Sequence, residues 1–179
     1  MLDLLTELRG SQLVPERELE RTERYLQFQV EDLSLLMPLQ QLREVLPVSP
    51  ERILPVPDMS PLLLGLISWR SEAIWLLDLP LLLGGSPFRR NEQGRASVLL
   101  AEGQDVAVSA PSSKQSLIFG LLVDSVQTLF AFPPERILPL SLEVVKPAQK
   151  HLFQGYYLSE AGQPLLILDA QAIAQTLLA

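Results

Sequence analysis

Along most of the chain, apolar residues fall in short runs rich in Leu, Val and Ile, broken by Pro, Gly, Ser or Asp every eight to twelve residues or so. That spacing predicts an all-β barrel or sandwich. The candidate strands are Tyr25–Val30, Ser34–Pro38, Leu64–Trp69, Ala73–Leu77, Ala96–Ala101, Asp105–Ser109, Leu117–Val123, Thr128–Phe132, Phe153–Leu158 and Leu165–Leu168. Helical signals are few. Leu39, Leu42, Val45 and Leu46 form one stripe at helical spacing, with a strand nearly as compatible over so short a span. Asp78 before Leu79-Pro80-Leu81-Leu82-Leu83-Gly84 and Asp169 before Ala170-Gln171-Ala172-Ile173-Ala174 are placed as N-caps, with Gly84 as a stop.

The same pattern occurs twice. Pro50-Glu51-Arg52-Ile53-Leu54-Pro55 returns unchanged as Pro134-Glu135-Arg136-Ile137-Leu138-Pro139, an offset of 84 residues. In that register Leu33 meets Leu117, Met37 meets Leu121, Leu39 meets Val123, Leu42 meets Val126 and Val45 meets Leu129. Further on, Gly65 pairs with Gly155, Ile67 with Tyr157, and Leu76-Leu77-Asp78 with Ile167-Leu168-Asp169, at offsets of 90 and 91. The chain thus reads as two copies of one small β module, each the size of an SH3-like barrel, in which closure hides the strand edges. The expected organisation is an extension over 1–22, a first module over about 23–86, a linker over 87–95 and a second module over about 96–179. Strand exchange between the modules is left open. The extension holds an amphipathic stretch with Leu2, Leu4, Leu5 and Leu8, then the charged run Pro15–Arg24. Pro111–Ser116 reads as a mobile hairpin loop.

Composition removes several classes of function. The 179 residues carry a formal charge of −7, contain no cysteine and have a single histidine, His151. Disulfides, thiolate metal sites and cysteine nucleophiles are therefore excluded, and one imidazole is too few for a typical zinc or non-haem iron site. No metal or cofactor is expected. Scattered Lys and Arg on an acidic chain argue against a nucleic-acid surface. The amino terminus lacks a basic, continuously apolar leader, and no apolar run reaches the roughly 18–20 residues of a membrane span, so the expected location is the cytoplasm.

The search for catalytic chemistry finds little. Asp78, Asp124 and Asp169 end apolar runs in a duplicated β protein, which invites the reading of a degenerate aspartic hydrolase. The Asp-Thr/Ser-Gly turn of such enzymes is incomplete at Asp124-Ser125-Val126, and the duplicated pair is followed by Leu79 and Ala170. No Gly-x-Ser-x-Gly elbow presents a serine to His151, and no phosphate-binding glycine loop occurs. Trp69 and Trp75 flank a predicted turn, where hairpin packing is their default role. What remains is a binding module rather than an enzyme.

A resemblance then comes into view. Leu64-Gly65-Leu66-Ile67-Ser68-Trp69-Arg70 followed by Ala73-Ile74-Trp75-Leu76-Leu77-Asp78-Leu79 resembles the signature hairpin of the CheW-like family, usually Gly-Val-Ile-Asn-Leu-Arg-Gly and then Val-Ile-Pro-Val-Val-Asp-Leu. Tyr25–Val30, Leu36–Leu46, Ile118–Val126 and Gly155–Leu168 resemble other segments of that family in the same order, covering roughly residues 23–178. The resemblance implies two five-stranded SH3-like barrels related by a pseudo-twofold, with no catalytic activity. It also implies an adaptor that links the cytoplasmic tip of chemoreceptors to the regulatory domain of a CheA-type histidine kinase, acting as a monomer within arrays without entering the membrane. By motif position it places Leu42, Glu44, Arg70 and Leu129 on the receptor side, and Gly65 and Leu66 on the kinase side. Ser68, Trp69 and Ser71 stand where the family has Asn, Leu and Gly, which leaves the turn geometry open.

Overall fold

A computed structural model describes residues 22–88, 96–107, 114–141 and 145–178. Residues 1–21 of the expected extension, 89–95 of the expected linker and 111–113 of the expected loop Pro111–Ser116 lie outside the described residues. Ten strands follow in chain order: β1 (Glu23–Val30), β2 (Leu33–Pro38), β3 (Leu42–Val48), β4 (Leu63–Trp69), β5 (Glu72–Leu77), β6 (Ala96–Ala107), β7 (Lys114–Val123), β8 (Ser125–Phe132), β9 (Phe153–Leu158) and β10 (Pro164–Leu168). Among the described residues two short α-helices, α1 (Leu79–Leu82) and α2 (Ala170–Leu178), follow β5 and β10.

The stretch Leu39–Leu46 is not helical. After a 3₁₀ turn at Leu39–Gln41, β3 pairs antiparallel with β6, setting Val45 opposite Leu99 and Leu46 opposite Val98. Its burial alternates with period two, Leu42, Glu44 and Leu46 half-buried and Arg43, Val45 and Pro47 exposed, so sheet pairing overrides a weak helical stripe. Pro47 is tolerated because β3 is an edge strand. The predicted strand Ala96–Ala101 and residues 105–107 of the predicted Asp105–Ser109 are joined in the long β6, which is irregular between Gly103 and Val106, while Val108 and Ser109 lie outside the described residues.

The strands form two five-stranded sheets, ordered β8-β1-β2-β10-β9 and β3-β6-β7-β5-β4. Replacing each strand of the first by the one five places along the chain produces the second, which is the signature of a duplicated unit. Each sheet takes strands from both halves of the chain. The parallel pairs β2–β10 and β5–β7 sit at equivalent places, joining Leu35 to Leu166 and Leu77 to Leu121.

The repeated hexamers explain how the sheets close into barrels. Each makes a 3₁₀ turn, Pro50–Arg52 or Pro134–Arg136, that carries the chain across from one edge strand to the other. There Leu54 and Leu66 exchange backbone hydrogen bonds of 2.8 Å, and Leu138 and Tyr156 exchange bonds of 2.8 and 3.0 Å. The crossing chain passes so close that a Cβ on Gly65 would lie 2.2 Å from the Leu54 carbonyl oxygen, and one on Gly155 would lie 2.6 Å from that of Leu138. Gly65 also has φ +139°, a conformation only glycine adopts freely.

Three apolar clusters result. Val48, Ile53, Ile67, Ile74, Leu76, Val98 and Leu100 fill one barrel, and Tyr25, Leu36, Phe132, Tyr157, Leu165 and Ile167 fill the other. Between them lies the largest cluster, where Phe28, Leu35 and Met37 of one sheet meet Leu99, Phe119 and Leu121 of the other beneath α2. Each such fully buried side chain contributes about 1.5–3 kcal/mol. Both predicted caps form. Asp78 accepts the Leu81 N–H at 3.1 Å and the Phe88 N–H at 2.8 Å. Asp169 accepts the Gln171 N–H at 3.0 Å, while Gln41 Nε2 donates to Asp169 and Gln41 Oε1 accepts the Ala170 N–H.

Gly65→Ala and Gly155→Ala, which press a methyl into main chain, are expected to cost several kcal/mol each or to prevent folding. Gly162→Ala, at φ +75° with open space around it, is expected to cost about 1 kcal/mol. Urea unfolding of the three variants measures the contrast.

Candidate protein-docking surface

The two barrels share a topology but are sealed differently. In the β8–β9 seam an aromatic stack fills the gap: Tyr25 lies on Phe132 at 4.2 Å, Phe132 on Tyr157 at 4.1 Å, and Phe130 meets the edge of Tyr157 at 6.0 Å. Arg136 covers the Tyr157 ring from 5.2 Å. At the repeat positions of Phe132 and Tyr157 the other barrel has Val48 and Ile67. These smaller side chains leave a pocket of about 310 Å³ in the β3–β4 seam, rimmed by Arg52, Trp69 and Arg70.

That seam is bridged by polar groups instead. Glu44 on β3 accepts the Trp69 indole N–H at 2.8 Å and pairs with Arg70 at 3.4 Å. Arg70 in turn lies 4.7 Å from the centre of the Trp69 ring. Arg70 and Ser71 form the whole two-residue connection between β4 and β5, both left-handed at φ 47° and 68°. Trp69, Arg70 and Ser71 therefore keep a tight hairpin turn, and Trp69 adds a hydrogen bond that the family's leucine could not make. The Arg70 side chain remains 74% exposed, so the pair itself contributes little stability and leaves a cation over an indole at the surface.

The candidate residues are not all in one place. Glu44 and Arg70 meet through Trp69. Leu42 is half-buried against the central core, so most of its side chain serves packing. Leu129, 57% exposed, lies on β8 of the other sheet, opposite Leu26. Gly65 is buried beneath the crossing chain, and Leu66 is half-buried beside Leu54, which is 64% exposed. Sequence reasoning passed over two exposed residues, Leu54 and Val45, and assigned the half-buried Trp69 to hairpin packing alone. The repeat register was a usable signal for Val45, because it pairs with Leu129 and both are exposed.

The three aspartates hold backbone rather than forming a shared-proton pair. Asp78 and Asp169 cap helices as described, and Asp124 Oδ2 accepts the Glu31 N–H at 2.6 Å, bracing the β1–β2 turn. Burial pushes the Asp78 carboxyl above its ordinary range, against its two N–H donors, and the Glu31 charge adds to the rise. His151 is exposed in the 3₁₀ turn Pro147–Leu152. Among the described residues no group of three or more His, Asp or Glu could hold a metal ion, and no helix is long and apolar enough to cross a membrane.

The fold and these seams define a double SH3-like barrel. The chain belongs to the CheW-like domain family, whose model matches residues 24–177. Among solved structures it is similar to the scaffolding protein TtCheW from Thermoanaerobacter tengcongensis, at 15% identity, covering 82% of this chain and 88% of that one, with a TM-score of 0.61. No curated protein matches it.

One buried charge anchors the β3 edge behind the site. Glu102, 5% exposed, pairs with Arg43 and accepts the Ser116 hydroxyl. The hydrogen bond from Arg43 holds the Glu102 carboxyl below its ordinary value of 4.5, outweighing desolvation. Because the folded value is the lower one, the pair's stabilisation is complete above that ordinary value and is lost as pH falls below it. The urea midpoint of the wild type should therefore drop between pH 5 and pH 3 by more than that of Glu102→Gln.

Proposed function

We propose that this chain is a non-enzymatic adaptor coupling chemoreceptors to a CheA-type histidine kinase in a chemosensory array, serving chemotaxis or pilus-based motility. The observation that carries this reading is the CheW-like match across residues 24–177, nearly the whole described chain. The two unlike seams support it physically. The polar one offers Glu44, Trp69 and Arg70 beside a pocket lined by both apolar and polar side chains, a combination suited to a partner helix with apolar and charged side chains. Exposed Leu129 and Val45 extend the apolar surface on both barrels. In this reading Leu42, Glu44, Arg70 and Leu129 face the receptor tip, and Leu66 over Gly65, with Leu54, faces the kinase regulatory domain. The adaptor works in the cytoplasm as a monomer within the array.

The test is calorimetric titration with a receptor-tip fragment and, separately, with a kinase regulatory domain. Arg70→Glu is expected to weaken receptor binding about tenfold or more, equal to about 1.4 kcal/mol, and to leave kinase binding in place. Leu66→Asp should do the reverse. Folded wild-type protein that binds neither partner would overturn the proposal, as would variants that leave both affinities unchanged.

A further inference from the structure

The adaptor reading makes no use of the leucine-rich stretch near the amino terminus, nor of a second pocket that shares no lining residue with the polar seam. That pocket, of about 260 Å³, lies where the β1–β2 turn, the end of α1 and the 3₁₀ turn before β9 converge. Its floor is apolar, with Val30, Leu33, Leu83, Val145, Phe153 and Leu166. Leu33 is 41% exposed there. Gln149 lines the same pocket, and its Oε1 is buried with no hydrogen-bond partner among the described residues. A buried acceptor left unpaired costs about 1–3 kcal/mol, so the site lacks a donor as well as apolar cover.

We propose that residues Leu2–Leu8 of this chain dock in this pocket, seating leucine side chains on Leu33, Leu83 and Phe153 and presenting a backbone N–H or the Thr6 hydroxyl to Gln149 Oε1. Size favours a side-chain occupant, because the volume falls below the roughly 300–1,000 Å³ of pockets that take drug-sized ligands. Reach is sufficient. β1 carries the chain about 23 Å from Glu23 to Val30 at the pocket edge, and the fourteen residues 9–22 span up to about 46 Å when extended. The segment's pattern also fits. At helical spacing Leu4, Leu5 and Leu8 would share a face, with the acidic Asp3 and Glu7 off it, and the pocket lining includes a cation, Lys146, to meet them. Glu31, also part of the lining, already accepts the Ser86 N–H at 2.9 Å. Docking here covers the junction of the two barrels, since Val30, Leu33 and Leu166 belong to one sheet and α1 follows β5 of the other.

The absence of cysteine allows a clean test in the full chain. Leu5→Cys is combined with Leu33→Cys at the pocket, or with Met59→Cys, which is equally exposed and lies in the loop before β4. Under mild oxidation the first pair should close as an intramolecular disulfide at least tenfold faster than the second, and adding Leu4→Asp should abolish the difference. In an otherwise wild-type chain, Leu4→Asp should also shift the amide resonances of Phe153 and Leu166. Equal closing rates, a disulfide-linked dimer indicating that a second copy fills the pocket, or unchanged resonances would each overturn the proposal. None of these readouts depends on receptor or kinase binding.

Discussion

Two places where main chain passes directly over main chain carry this architecture. At Leu54 over Gly65 and at Leu138 over Gly155, a segment leaving one edge of a sheet crosses to the other edge and exchanges a pair of hydrogen bonds with it. An open five-stranded sheet would leave both edges unpaired and ready to join a neighbouring chain. The crossing closes that route, and it demands a residue without a Cβ beneath it. The 3₁₀ turn of Pro-Glu-Arg supplies the change of direction, and the Ile that follows, Ile53 or Ile137, packs into or against the barrel interior. Conservation of the hexamer between the two halves is then a consequence of geometry, since both halves must make the same crossing.

With closure secured by backbone, the side chains along each seam are free to differ. Stacked aromatics fill the β8–β9 seam, and a large apolar surface is taken from water there. The β3–β4 seam has Val48 and Ile67 in the same positions, too small to fill the space, and is spanned by Glu44, Trp69 and Arg70. That arrangement forgoes burial and leaves charge and indole at the surface beside a hollow of mixed apolar and polar lining. A left-handed turn of two non-glycine residues holds Arg70 in place at some conformational cost. A duplicated fold has thus become asymmetric at its two seams, and the asymmetry concentrates recognition chemistry on one barrel.

Much of this was legible from the residues alone. Alternating short runs located nearly every strand, Asp78 and Asp169 announced the two helices, and the hexamer with its flanking register revealed the duplication. The failures have a common cause. Leu39–Leu46 carried a helical stripe because local spacing cannot see β6, the partner that makes Leu42–Val48 a strand. The pairing of β2 with β10 and of β5 with β7 is equally invisible, because a strand's pattern shows which face is buried and says nothing about its neighbour. At the surface, Arg70 and Glu44 were identified by family position, but their link through Trp69 depends on barrel closure, which brings together strands that are edges of the same sheet. Leu42, placed on the receptor side by family position but equally compatible with a core role, is half core because β3 lies at the border between one barrel and the central cluster.

Amide hydrogen exchange at Leu54, Leu66, Leu138 and Tyr156, read by NMR on the intact chain, tests closure most directly. If the two crossings hold the barrels shut, these four amides exchange only through global unfolding, with protection equal to that of central strands such as Leu99 and Leu121. Exchange at the pace of exposed loops at either crossing would show an open sheet, and with it the collapse of the seams on which the docking surface is built.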